Sequence, residues 1–363
     1  MCGVFGVSSN DFEAARITFF GLFALQHRGQ ESSGMVTSDG EKLYRHVGQG
    51  LVAHVYGENL LNNNLPGSMA IGHNRYSTSG GTDIKHAQPV IDKHENVALA
   101  HNGNLPITKK LTVFLEDNNI DPTGLNDSEK MQRAISYYVN SQSIPVEEAV
   151  AKSYSLFEGA FSTLVMDKNK LIAFRDKFGI RPLSIGKLNG GYIIASETCA
   201  LDAVGAIYLR DVLPGEMVIF EPGEELKSVI LEKGQQKLDI FEFIYFARLD
   251  SMLLGKNVWQ VRFNIGVNLA KEHPRDADIV IEVPDSATPM AIGYSEQLGI
   301  PHRQGLIKNR YVHRTFITPD SHQKRQMISM KSNPIPSVLR GKRVIVVDDS
   351  IVKGNTAIDI IIT

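Results

Sequence analysis

Up to about residue 230 the chain alternates short apolar runs with turns rich in Gly, Asn and Asp. Gly159 to Met166 and Gly191 to Ser196 are typical strands of this pattern, with β-branched and aromatic residues bounded by turn formers. Met69 to Ile71 is a shorter apolar run. Val97 to Ala100 leads into His101-Asn102-Gly103, where an Asn-Gly pair, which favours positive φ, predicts a tight turn. Helical periodicity covers Arg16 to Leu25 and Ser128 to Val139. Pro214-Gly215-Glu216 and Glu221-Pro222-Gly223 read as turns closing this half, and the polar Glu232 to Lys237 as a linker. The texture fits two stacked antiparallel sheets flanked by helices. Beyond the linker, helical Val258 to Glu272 precedes strand Ile279 to Val283, helical Met290 to Leu298, strand Gly305 to Ile307 and strand Val344 to Val347. That alternation predicts a parallel α/β sheet. No internal repeat or low-complexity tract interrupts either half.

Composition narrows the class without changing this division. A chain of 363 residues is long enough for two domains, and 42% hydrophobic content with a net charge of -2 describes a globular enzyme with no general attraction to nucleic acid. No apolar stretch reaches the roughly 18 residues of a membrane span, and the N-terminus lacks the basic and apolar regions of a signal peptide. The two cysteines do not make a disulfide framework, and a reducing cytoplasm suits a free catalytic thiol. Cys199, flanked by apolar residues, reads as a small core residue.

The other cysteine carries the chemistry. Cys2 follows the initiator methionine in Met1-Cys2-Gly3, so methionine removal would leave cysteine as the first residue. Its α-amino group, with an unperturbed pKa of roughly 8, can then act as the base for its own thiol. Three polar segments supply what acyl transfer to a thiolate needs: Gln26 to Gly34, Gly72 to Thr78 and His101 to Asn104. The Asn102 amide and the Gly103 N–H can stabilise a developing oxyanion, and Arg75 can clamp a carboxylate with both arms of its guanidinium.

In this order the segments resemble the glutaminase domain of the N-terminal-nucleophile glutamine amidotransferases, from Cys2 to about residue 230. The resemblance implies an αββα sandwich over residues 2–230. It also implies that Cys2 attacks the side-chain amide of glutamine, that Arg75 holds the glutamine carboxylate and that Asn102 and Gly103 form the oxyanion hole. Asp127, in Asn126-Asp127-Ser128-Glu129, matches the family acid that binds the substrate's α-amino group. Asp127-Ser128-Glu129 before Lys130-Met131-Gln132 also reads as a helix N-terminus, and both roles can coexist.

A second landmark lies near the other end, Lys342 to Thr356. Four β-formers, Val344 to Val347, predict a buried parallel strand with Asp348 and Asp349 where it ends. A short Gly, Ser and Thr loop follows, whose backbone N–H groups suit a phosphate. This string resembles the phosphoribosyl-pyrophosphate motif of type I phosphoribosyltransferases. Joined to a glutaminase, with Phe241 to Arg248, Val283 to Ala287 and Gly305 to Tyr311 between, it identifies the chain as a member of the amidophosphoribosyltransferase family.

The implied second domain is a parallel-sheet phosphoribosyltransferase over residues 240–363. Its substrate contacts would be Asp348, Asp349, Ser350, Lys353, Gly354, Thr356 and Lys308, with Mg²⁺ held near Ser286, Asp348 and Asp349. The implied reaction hydrolyses glutamine and passes the ammonia to phosphoribosyl pyrophosphate, giving phosphoribosylamine, glutamate and pyrophosphate, the first committed step of purine synthesis. Purine nucleotides are the implied feedback inhibitors, and a cytoplasmic homo-oligomer the implied form. Some members carry a four-cysteine iron–sulfur cluster. Here Asp239 stands at one ligand position and only Cys199 remains beside Cys2, so no cluster is expected.

His302 to Asn333 holds seven Lys and Arg against the single acid Asp320. It reads as a solvated basic loop or nucleic-acid patch, or, better, as a lid over a pyrophosphate-bearing substrate with Lys308, Arg310 and Arg314 as candidate contacts. The family pattern is broken at Leu249, His313, Ser329, Ser332, Lys353 and Asn355, which bears on phosphoribosyl transfer more than on glutamine hydrolysis. Family members continue for about another hundred residues past Thr363. The sequence therefore reads as a fragment, with a transferase domain that is incomplete and inactive in isolation. Two alternatives compete with the enzyme reading: another glutaminase-linked synthetase, and a phosphoribosyl-pyrophosphate-sensing regulator. The first lacks its sugar-isomerase or ATP-pyrophosphatase motif here, and the second would need no N-terminal cysteine.

Overall fold

The computed structural model describes residues 2–9, 13–76, 84–308 and 332–351. The chain forms two compact units, Met1–Asp239 and Ile240–Thr363.

In the first unit the strands are β1 (Gly3–Ser8), β2 (Ser32–Ser38), β3 (Leu43–Gln49), β4 (Met69–Arg75), β5 (Val90–Ile91), β6 (Ala98–Ile107) and β7 (Glu158–Met166). They continue as β8 (Leu171–Arg175), β9 (Ser184–Leu188), β10 (Gly191–Ala195), β11 (Ile207–Asp211), β12 (Glu216–Phe220) and β13 (Lys227–Ile230). One seven-stranded sheet runs β11-β9-β10-β1-β4-β2-β3 and a six-stranded sheet runs β13-β12-β8-β7-β6-β5. Neighbours in both are antiparallel.

Side chains of both sheets, among them Val4, Ile71, Ala100, Leu164 and Ile194, form one core layer between them. A second layer packs Phe5, Met35 and Ile193 of the first sheet against Leu22 and Leu25 at helix Ala14–Ala24. A third packs Leu99, Phe161 and Phe174 of the other sheet against Leu111, Leu115, Met131 and Ile135. Three apolar layers between four structural layers are the αββα sandwich, and each fully buried aliphatic or Phe contributes about 1.5–3 kcal/mol. Helix Asp127–Gln142 begins in a capping box: Asn126 Oδ1 accepts from the Glu129 N–H at 2.9 Å, and Glu129 Oε2 accepts from the Asn126 N–H at 2.8 Å.

One sequence expectation fails here. Asn102-Gly103 is not a turn; both residues lie inside β6, opposite Ser162 and Phe161 of β7. Gly103 answers a different need, because a Cβ there would collide with the Ala160 carbonyl oxygen. The segment 232–237, expected as the linker, lies just before the division of the two units at Asp239 and is held to the first unit by backbone bonds. The Gln235 and Lys237 N–H groups donate to the carbonyls of Lys177 (2.8 Å) and Phe178 (2.7 Å).

In the second unit, Ile279–Glu282 pairs in parallel with Val344–Val347, and Val280 bridges in parallel to His302 on its other side. Helices Val258–Glu272 and Thr288–Leu298 cross closely at Gly266 and Gly293, where a Cβ would strike the Met290 or Phe263 carbonyl. Gly305 to Ile307 was expected in the parallel sheet. The strand there, Leu306–Lys308, instead pairs antiparallel with Ser332–Pro334. Two apolar residues and a lysine fit either pairing, and only the approach of the distant partner decides. Among the described residues, no helix is long and apolar enough to cross a membrane.

Candidate active site

Cys2 immediately precedes β1 and is held from several sides. Gly3 pairs with Asn74 of β4. The Val4 N–H donates to Ser196 Oγ at 2.9 Å, and the Arg28 Nε–H donates to the Cys2 carbonyl at 2.9 Å. The half-buried Cys2 Sγ lies 3.7 Å from the Tyr76 carbonyl oxygen, so the thiol sits at the end of β4 beside Arg75. Arg75 is fixed in turn: it pairs with Ser32, its carbonyl accepts from the Glu31 N–H, and Gly29 packs so tightly on its backbone that a Cβ would clash. Cys2 and Arg75 therefore stand at the ends of neighbouring strands of one sheet.

The other residues come from the facing sheet. Asn102 is 1% exposed, and its Nδ2 has no hydrogen-bond partner among the described residues. Leaving a buried amide donor unpaired costs about 1–3 kcal/mol, a cost a bound acceptor would remove. Asp127, the first residue of its helix, accepts from the Leu105 N–H (Oδ2, 3.1 Å) and the Ser128 N–H (Oδ1, 2.9 Å), which fixes the carboxylate beside β6. Two buried histidines, His73 and His101, lie nearby. Burial pushes His73 down to about 3, with His101 and Arg75 adding to the effect; burial also lowers His101, against the opposing pull of Asp127. Ile71 of β4 and Ala100 of β6 pack in one core layer, which brings the end of β4 near the middle of β6.

In the second unit Asp348 and Asp349 follow strand Val344–Val347, as expected from the sequence. Asp349 accepts from the Ser286 and Ser350 hydroxyls, the latter at 2.6 Å, and the Asp349 N–H donates to Asp348 Oδ1 at 2.8 Å. Burial, then the charge of Asp349, raises Asp348 above the usual carboxylate range. Lys308 forms an ion pair with Asp285 at 2.5 Å, one residue from Ser286. Lys353, Gly354, Asn355 and Thr356 lie outside the described residues, as do Met1, Arg310, His313, Arg314 and Ser329.

Residues 73–203 match a family described as a glutamine amidotransferase domain. An amidophosphoribosyltransferase of Synechocystis sp. is 45% identical over 362 residues, 98% of this chain and 73% of that protein. The chain belongs to the amidophosphoribosyltransferase family. The Bacillus subtilis amidophosphoribosyltransferase is 44% identical over 360 residues, 98% of this chain and 74% of its own. A solved structure of the B. subtilis glutamine phosphoribosylpyrophosphate amidotransferase, complexed with ADP and GMP, superposes with a TM-score of 0.88 at 43% identity. It covers 98% of this chain and 77% of that one. A second, of an allosteric regulatory enzyme of purine biosynthesis, gives 0.91 at 43% identity, over 99% and 77%. The fold is accordingly that of an amidophosphoribosyltransferase: glutaminase sandwich, then phosphoribosyltransferase domain.

Several residues that build these amidophosphoribosyltransferase sites carry no role in the sequence reading. Arg28 is fully buried and pairs with the equally buried Glu197, which also meets His27 Nε2 at 2.8 Å. Their partnership spans 169 positions, and only the placement of Gln26–Arg28 inside a quoted polar segment could have drawn attention to it. In the second unit Arg262 donates to the carbonyls of Phe243 (2.6 Å), Ala247 (2.9 Å) and Ser286 (3.4 Å). It thereby staples Phe241–Arg248 to Val283–Ala287, two segments that the sequence shows only as separate strings.

Proposed function

We propose that this chain hydrolyses glutamine at Cys2 and passes the ammonia to phosphoribosyl pyrophosphate. The thiol proton goes to the α-amino group of Cys2, freed by loss of Met1, and the sulfur attacks the glutamine amide carbon. Asn102 Nδ2 and the Gly103 N–H receive the oxyanion, Arg75 holds the α-carboxylate and Asp127 the α-ammonium. Collapse expels ammonia and leaves a thioester, which water opens to glutamate and the free thiol. Ammonia then attacks C1 of the ribose and displaces pyrophosphate, giving phosphoribosylamine. The observation that carries the first step is the buried Asn102 amide, without a partner among the described residues, on the strand facing the Cys2–Arg75 edge.

In the second unit Asp348 and Asp349 are proposed to meet the ribose hydroxyls, and Ser350, Lys353, Gly354, Thr356 and Lys308 the phosphates. The carboxylates with the Ser286 hydroxyl form an all-oxygen donor set suited to Mg²⁺, and the raised Asp348 marks a place where positive charge is welcome. Mg²⁺ would neutralise the pyrophosphate leaving group. The ADP and GMP held by the B. subtilis relative make purine nucleotides the proposed feedback ligands. A homo-oligomer working in the cytoplasm, where a thiol stays reduced, completes the reading.

The test is glutamine turnover with and without phosphoribosyl pyrophosphate, in the wild type and in Cys2→Ser. The variant should lose turnover by on the order of 10⁴-fold. Fully active protein that retains Met1 by intact mass would overturn the role of the cysteine amine.

A further inference from the structure

We propose that the loop Asp176–Arg181 is a positioning element for Asn102 and Gly103, and that the Arg181–Asp239 ion pair ties it to the segment leading out of the first unit. The inference rests on the glutaminase reading above. β7 lies between β6 and β8 and carries Phe161 and Ser162 opposite Gly103 and Asn102. The loop grips both of these β7 residues. Asp176 Oδ2 accepts from the Phe161 N–H at 3.0 Å, the Asp176 N–H donates to the Phe161 carbonyl at 2.9 Å, and the Ser162 hydroxyl donates to the Arg181 carbonyl at 3.0 Å.

The other edge of the same loop binds the segment 235–239. The N–H groups of Gln235, Lys237 and Asp239 donate to the carbonyls of Lys177, Phe178 and Ile180 at 2.8, 2.7 and 3.1 Å. Gln236 Nε2 donates to the Gly179 carbonyl at 2.9 Å, and the Lys237 ammonium sits 4.7 Å above the Phe178 ring. Arg181 closes the register on Asp239 at 2.8 Å. Asp239 is the last residue of the first unit. A continuous set of hydrogen bonds thus runs from the exit of the first unit to the residues paired with the oxyanion donors.

Ladder pairing makes that set consequential. A shift of β7 carries the Gly103 N–H with it, and an oxyanion hole works only while its donors stay about 2.7–3.1 Å from the developing charge. Neither Arg181 nor Asp239 is proposed to touch glutamine. Loosening their pair should therefore lower the rate of the step that builds the oxyanion and leave substrate affinity nearly intact.

The experiment compares the full chain with Arg181→Gln, Asp239→Asn and the double variant. Each single change should reduce kcat for glutamine by about 5- to 10-fold with KM within about twofold. The double variant should fall no further than the worse single, since one link is being cut twice. Arg181→Lys should recover most of the rate. Alkylation of Cys2 by iodoacetamide, which builds no oxyanion, should keep its wild-type rate in every variant; Cys199 is buried and does not compete. Unchanged kcat in both singles, additive losses, or alkylation slowing in parallel would each overturn the proposal. Wild-type protein without glutamine turnover would sink the glutaminase reading itself, whereas wild-type turnover with indifferent variants would sink only this one.

Discussion

In the first unit both sheets are covered on both faces, so β1, β2, β4 and β8 are buried along their whole length. In the second, strand Val344–Val347 pairs with Ile279–Glu282 and leaves Val346 41% exposed, with Ile351 just beyond it at 75%. Both candidate sites sit where polar residues meet strands, but they differ in how the groups are held. Around Cys2 the side chains stand on strands fixed by ladders and by the buried Arg28–Glu197 pair, and Asn102 keeps a buried donor that no described residue satisfies. Around Asp349 the groups follow a strand end and satisfy one another through Ser286 and Ser350. The first site is preorganised before a ligand arrives. The second holds its charges in a cluster whose natural complement is a cation. The contrast predicts rate effects from the first and affinity effects from the second.

Among changes that keep the Cys2 thiol, the largest effect should come from Asn102→Ala. Removing a preorganised oxyanion donor costs about 10²–10³-fold in kcat, close to 3–4 kcal/mol, with little change in KM for glutamine. A loss confined to KM would break the preorganisation half of the comparison. Next, the double change Asp348→Asn with Asp349→Asn should weaken phosphoribosyl-pyrophosphate binding by about 30-fold, as lost charged contacts of this kind do. Calorimetry checks the affinity, and a glutaminase assay without phosphoribosyl pyrophosphate should read as wild type. Retained affinity would make the acidic pair dispensable.

A smaller change tests the clamp. Arg75→Lys keeps the charge but loses the two-pronged geometry, and should lower kcat/KM for glutamine by about 10-fold, near 1.4 kcal/mol. Asp127→Asn should act in the same direction, and an unchanged value for either would remove that residue from the site.

The last effect is on stability. His73 titrates near 6.5 when unfolded and is held down to about 3 when folded, so between those values the unfolded chain binds the extra proton. Its contribution is therefore fully present above about pH 6.5 and is lost as pH falls toward 3, with a slope of up to about 1.4 kcal/mol per pH unit. Urea unfolding at pH 7, 6 and 5 should show that slope, and His73→Gln should flatten it. An unaltered slope in the variant would mean that His73 is not the titrating group.

Much of this was legible beforehand. Asp127-Ser128-Glu129 announced a helix N-terminus, and the helix Asp127–Gln142 begins there, in a capping box that Asn126 and Glu129 close. The strand ending in Asp348 and Asp349 was equally plain, because four β-formers followed by two carboxylates leave few local options. The reading failed at Asn102-Gly103, where the local preference for a turn lost to ten residues of strand pairing. It failed again at Leu306–Lys308, too short a run to declare its partner.

What the sequence determined by itself was whatever local chemistry can carry. It set the period of the apolar positions, the cap of a helix, the alternation that separates a sandwich from a parallel sheet, and the residue types that acyl transfer requires. What only the tertiary structure decided was proximity and burial. Arg28 reaches Cys2 and Glu197, Arg262 joins two separate segments, and the loop at 176–181 grips both β7 and the exit at Asp239. The physical reason is common to all three. A charged side chain reads as solvated until the fold removes the water around it, and its meaning then depends on partners that no local pattern of residues can name.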